Sequence, residues 1–158
     1  MKKEWKGFLI SILIPLAVGL ISGLLTMGGM KIFATLIKPP LSPPAWLFPV
    51  VWSILYTLMG ISSYMVYTSK KVGDKEGKSR TLTTYRYQLI VNFLWPVFFF
   101  NFQWYFLAFL WLVLLWILVA KMILEFGNIS SLAAGLNIPY LLWLGFAAYL
   151  NLGIWLLN

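Results

Sequence analysis

The chain has 158 residues, of which 61% are hydrophobic and only 10% charged, a balance that no water-exposed surface carries. It contains no Cys and no His, which removes disulfides, thiolate metal sites, the commonest general base and the commonest haem or zinc ligand, so neither a metal nor a cofactor is expected. The four acidic residues, Glu4, Asp74, Glu76 and Glu125, all lie away from the centres of the apolar runs, which argues against proton-coupled transport through a buried carboxylate. The net charge of +8 is carried at the ends of those runs, where it faces lipid headgroups, and no nucleic-acid partner is expected.

Apolar stretches of about 20 residues, the length that crosses a hydrocarbon core of about 30 Å, predict transmembrane helices over 8–30, 46–67, 82–101, 104–124 and 131–157. The expected fold is all-α: an integral-membrane bundle of five transmembrane helices forming one domain over 1–158. The first stretch follows Met-Lys-Lys-Glu-Trp-Lys, as a signal peptide would, but it is too long and lacks a small-residue cleavage site, so it reads as a helix. It holds Gly19-x-x-x-Gly23 with Pro15 one interval earlier, a spacing that permits close helix approach.

Residues 31–45, KIFATLIKPPLSPPA, form the first linker, and its two Pro-Pro pairs impose a stiff, extended backbone. A rigid spacer and a functional lid are both consistent with it. The second linker, 69–81, carries Lys70, Lys71, Lys75, Lys78 and Arg80 among Gly and Ser and reads as a hydrophilic loop. Five spans place that linker, the Lys2, Lys3 and Lys6 segment and Lys121 on one side, with only Lys31 and Lys38 on the other. The positive-inside rule then puts the N-terminus in the cytosol and the C-terminus opposite. Arg86 reads as snorkelling to the same interface. The connection at 101–103 is so short that helices three and four form an antiparallel hairpin, and no internal repeat suggests an inverted-repeat transporter.

Nine Trp residues stand out in so short a chain. Trp5, Trp46, Trp104 and Trp155 fall at segment ends and fit an interfacial belt, whereas Trp52, Trp95, Trp111, Trp116 and Trp143 fall inside segments. Helical spacing groups Trp52 with Tyr56, Met59 and Ser63, Asn92 with Trp95, Phe99 and Phe102, and Tyr140 with Trp143, Ala147 and Leu150. Burying hydroxyl and amide groups in lipid without partners costs a few kcal/mol, so the faces bearing Tyr56, Ser63 and Asn92 point into the bundle. Flat rings with Trp N–H groups and Asn92 as donors fit a pocket for a planar apolar ligand; a solid aromatic core fits the same spacing.

The chain resembles the TspO/MBR family, the tryptophan-rich sensory proteins that include the mitochondrial translocator protein. The resemblance is carried by Lys38-Pro39 and Pro43-Pro44 in the first linker, PVVWSILYTLMGISSYMVY from Pro49 to Tyr67, NFLWPVFFF from Asn92 to Phe100 and PYLLWLGFAAYLN from Pro139 to Asn151. It implies a five-helix bundle, commonly a homodimer, whose pocket opens toward the first linker and binds porphyrins and, in some members, sterols or drug-like ligands. By position, Trp52 and Trp143 match the family's pocket tryptophans, and Tyr56, Trp95, Pro96, Phe99, Ala147 and Leu150 match other pocket positions. The C-terminal NLGIWLLN lacks the basic residue of the family's sterol motif, Trp111 stands where many members have an acidic residue, and Pro49 replaces a more usual Gly. The resemblance therefore extends neither to sterol recognition nor to a role for that carboxylate.

Three functions follow as expectations. One is a membrane receptor or carrier for a tetrapyrrole such as protoporphyrin IX or a drug-like ligand, without catalytic residues. Another is a light- and oxygen-dependent porphyrin-degrading enzyme that uses Trp52 and Trp143, and the last is a structural protein with a packed aromatic core.

Overall fold

The computed structural model describes residues 2–71 and 75–158, with Lys2 and Lys3 as backbone alone. Its helices are α1 (Lys2–Phe33), α2 (Leu47–Thr68), α3 (Lys75–Pro96), which runs on as a π-helical turn over Val97–Asn101, α4 (Tyr105–Gly127), the short α5 (Ser131–Gly135) and α6 (Ile138–Leu157). Among the described residues, four segments are long and apolar enough to cross a membrane: Glu4–Phe33, Leu47–Thr68, Tyr105–Gly127 and Ser131–Leu157. The α3 helix is more polar, because its first turns are charged and because its inner face buries Thr84, Gln88 and Asn92 against its neighbours. The expected helical membrane bundle is what the chain forms.

Helix α1 runs past both ends of the expected 8–30 and takes in the first residues of the expected linker, and the chain departs from the sequence expectation in three further places, each for a physical reason. Helix α3 starts at Lys75, so most of the expected 69–81 loop is helical; Lys, Glu and Arg are good helix formers and here project from the bundle. Residues 72–74 of that linker lie outside the described residues. The expected helix 131–157 is broken at Leu136 and Asn137. Pro139 sits in the first turn of α6, where its missing N–H is harmless, while its ring opposes continuation of the helix from Gly135. Pro96 acts in a similar way within the third helix. It cannot donate to the Asn92 carbonyl, and past it the backbone widens, with the Phe102 N–H reaching the Val97 carbonyl at 3.1 Å.

Around the bundle, α1 packs on α2 and on the α3 and π-helical segments, α3 packs on α4, and α4 packs on α6 and α5. The α1 backbone comes close to α2 at Gly60, where a Cβ would lie 2.5 Å from the Ile12 Cα and 2.6 Å from the Ser11 carbonyl oxygen. The buried core of Leu55, Met59, Val66, Leu112, Leu115, Val119, Met122, Phe126 and Leu144 fills the half of the bundle nearer the α2–α3 linker. The α2 and α6 backbones do not pack closely on each other; rings and single hydrogen bonds bridge them. In the other half the helices enclose a hollow.

Candidate functional site

The hollow has a volume of about 620 Å³ and is walled by α1, α2, α3 with its π-helical turn, α6 and the Pro-rich linker. Of the sequence-selected residues, Trp52, Tyr56, Asn92, Trp95, Pro96, Phe99, Ala147 and Leu150 all line it, as do Lys38, Pro43 and Pro44 of the linker. Pro39 does not. It is buried against α6, where Gly153 leaves room for its ring. The linker is thus a cover over the mouth, fixed to α6 by Asn158, whose amide accepts from the Ile37 N–H at 2.9 Å and donates to the Ile37 carbonyl at 2.9 Å. The Tyr149 hydroxyl adds a bond to the Pro40 carbonyl at 2.9 Å.

Trp143 is not part of the wall. The space on its cavity side is taken by Phe48, whose ring meets it edge-on at 5.9 Å, and by Trp52 packing on Tyr140 at 6.1 Å. Its indole lies instead in an outward-facing groove between α2 and α6, with Val51, Ile54, Leu55, Pro139, Leu142 and Phe146. Phe102 also departs from its expected face: it is exposed, because the π-helical turn changes the angular spacing and the helix ends before it.

The polar groups at the floor of the cavity are largely engaged with one another. The Tyr56 hydroxyl donates to Asn92 Oδ1 at 2.6 Å, the Asn92 amide donates to the Tyr140 hydroxyl, and that hydroxyl donates to Gln88 Oε1 at 2.9 Å. Gln88 ends the chain on the Met59 sulfur at 3.1 Å. Asn92 is therefore a structural keystone for three helices, and one of its two amide donors is committed to Tyr140. The Trp95 indole is likewise committed, to Asn151 Oδ1 at 3.1 Å. The Trp52 indole N–H makes no hydrogen bond among the described residues, which leaves it free to meet a ligand. Of this chain, Tyr56 and Asn92 line the cavity, and the Tyr56 oxygen, which donates its proton to Asn92, keeps a lone pair to offer.

Sequence reasoning missed the α1 wall, made by Gly19, Ser22, Gly23, Thr26 and Met30. The signal was present: Gly19, Ser22, Gly23 and Thr26 follow i, i+3, i+4, i+7, a stripe of small or weakly polar residues in an otherwise bulky apolar helix. Gly19 receives the Tyr56 ring, and beyond its own stretch of helix no atom of the described residues lies within 4 Å of where a Gly23 Cβ would be. Phe33, Phe48, Phe100, Asn151 and Ile154 complete the wall. Two of these, Phe100 and Asn151, directly follow selected residues in sequence.

A bundle of membrane-crossing helices around a ring-lined internal cavity, covered by a latched proline-rich linker, defines the class: a helical membrane protein with an internal cavity. The TspO/MBR family model matches residues 11–156. The chain is 38% identical over 127 residues to the tryptophan-rich protein TspO of Chlorobaculum tepidum, covering 80% of this chain and 78% of that one. It is 36% identical over 149 residues to the tryptophan-rich protein TspO of Archaeoglobus fulgidus, 94% of each chain, and 37% identical over 128 residues to the translocator protein of Homo sapiens, 80% and 75%. The chain belongs to the TspO/MBR family.

Proposed function

We propose that this integral membrane protein is a receptor or carrier that binds porphyrins, tetrapyrroles such as protoporphyrin IX, and drug-like planar molecules in the cavity beneath the Pro-rich linker. The observation that carries this reading is the cavity of about 620 Å³ walled by Trp52, Trp95, Phe33, Phe48, Phe99 and Phe100. That volume lies within the range of about 300–1,000 Å³ usual for small-molecule sites. Flat rings supply stacking surface, and Lys38 is the cation at the rim, within reach of an anionic edge group. A purely structural role leaves such a hollow without purpose. Degradation through a Trp pair is supported less well, since only Trp52 of the two expected tryptophans lines the cavity.

The test is quenching of Trp fluorescence in detergent-purified protein by protoporphyrin IX, in darkness and then under illumination. Saturable quenching in the dark is expected, and Trp52→Leu should weaken affinity about tenfold, the loss of one ring stack and one hydrogen bond. Unchanged affinity in that variant would place the ligand elsewhere. A new absorption band that grows in light and is lost in Trp52→Leu would move the assignment to the enzyme.

The orientation belongs to the same proposal: N-terminus cytosolic, C-terminus opposite, with a homodimer as the working assembly. Because the chain has no Cys, single cysteines report sidedness without background. In intact cells, an impermeant maleimide should label Ser42→Cys and not Lys71→Cys; the reverse pattern would invert the topology. Light scattering of the purified protein should give twice the chain mass.

A further inference from the structure

We propose that the groove between α2 and α6 is the portal through which ligand passes between the bilayer and the cavity, with Phe48 and Trp143 as its gate. This rests on the cavity being a ligand site. The groove, about 440 Å³, is lined by apolar side chains, and its rim residues Ile54 and Leu142 are 54% and 69% exposed, so it faces the hydrocarbon of the membrane. At its boundary with the cavity Phe48 lines the cavity, Trp143 lines the groove, and the two rings meet edge-on at 5.9 Å, beside Trp52 packed on Tyr140 at 6.1 Å.

Two further observations make this wall the one that opens. The Trp143 indole nitrogen is buried and has no hydrogen-bond partner among the described residues, so no polar contact with them fixes that ring, and rotation inward would offer the N–H to an acceptor on the ligand. The two boundaries of the cavity are also held unequally. The linker is tied to α6 by the Asn158 amide on both polar groups of Ile37 and by Tyr149 on Pro40. The α2 and α6 backbones stay apart, and their direct polar tie, Asn137 to Ser62 at 2.6 Å, lies beyond the closed end of the groove. That tie acts as a pivot above which the two helices can part. A planar amphiphile dissolved in lipid would then reach the site without crossing water.

The experiment uses protein reconstituted in phosphatidylcholine vesicles, with protoporphyrin IX added to the lipid and Trp quenching followed by stopped flow. Val51→Cys with Leu142→Cys, one on each side of the groove, is stapled by a bifunctional thiol reagent. Stapling should slow association and dissociation alike by about tenfold or more, with affinity nearly kept, as expected when a barrier rises and the bound state does not change. Trp143→Ala should accelerate both rates, and Asn158→Ala, which frees the linker, should change neither by more than about twofold. Unchanged rates in the stapled protein, or acceleration by Asn158→Ala and not by Trp143→Ala, would overturn the portal while the cavity site stands. Absence of quenching at equilibrium in every form would overturn the ligand reading and the portal with it.

Discussion

Asn92→Leu is expected to destabilise the protein by about 2–4 kcal/mol and to abolish high-affinity ligand binding. Leu matches Asn in size but offers neither group, so the Tyr56 hydroxyl loses its acceptor and the Tyr140 hydroxyl loses its donor, both in a buried setting. An unmade hydrogen bond at a buried group costs about 1–3 kcal/mol, more than the bond itself contributes when both partners are present. The chain is also cooperative, since each donor polarises the next. Thermal unfolding in detergent, followed by circular dichroism, measures the loss. The control is the pair: Tyr56→Phe alone should cost about 1 kcal/mol, and Tyr56→Phe with Asn92→Leu should cost less than the sum, because one orphaned group has been removed. Strict additivity would show that the two side chains do not act together.

That keystone was half legible in the sequence. Spacing put Tyr56, Asn92 and Tyr140 on inward faces, and the requirement that buried polar groups find partners said they would meet something. It could not say that they would meet one another, because helix rotation and height are set by packing between segments far apart in sequence. The same limit explains Trp143. Its angular position on α6 is shared with Ala147 and Leu150, yet its bulk must lie on one side of Phe48 or the other, and local periodicity does not encode that choice.

The bundle itself was readable because hydrophobic length is a local property, while the breaks were missed where one residue outweighs its neighbours. Pro139 and Pro96 lie inside uniformly apolar runs, and only their missing N–H groups reveal the interruption at Leu136 and the π-helical turn after Pro96. The α1 wall was overlooked for a different reason. Large aromatics advertise a cavity, whereas the absence of side-chain bulk, at Gly19 and Gly23, contributes just as much to its volume.

Gly60→Ala and Gly23→Ala, the same substitution in neighbouring helices, should have opposite effects. At Gly60 the added methyl would fall on α1 backbone, 2.5 Å from the Ile12 Cα, and backbone cannot turn aside as a flexible side chain does. Either α1 moves outward along its contact with α2 or the crossing fails, a loss of about 3 kcal/mol or more, in the range of overpacked cores. At Gly23 no atom of the described residues beyond its own stretch of helix lies within 4 Å of the new methyl, and Ala in place of Gly within a helix gains about 0.5–1 kcal/mol. Melting temperatures in one detergent should therefore move in opposite directions, and Gly60→Ala should elute as aggregate where Gly23→Ala elutes as the native species. Extending the second substitution to Gly23→Phe turns stability into a probe of the site. Its ring would project into the cavity that Gly23 lines, so the fold should persist while protoporphyrin IX quenching falls by about tenfold or more. If Gly23→Phe folds and still binds with unchanged affinity, the cavity beneath the linker is not where the ligand sits.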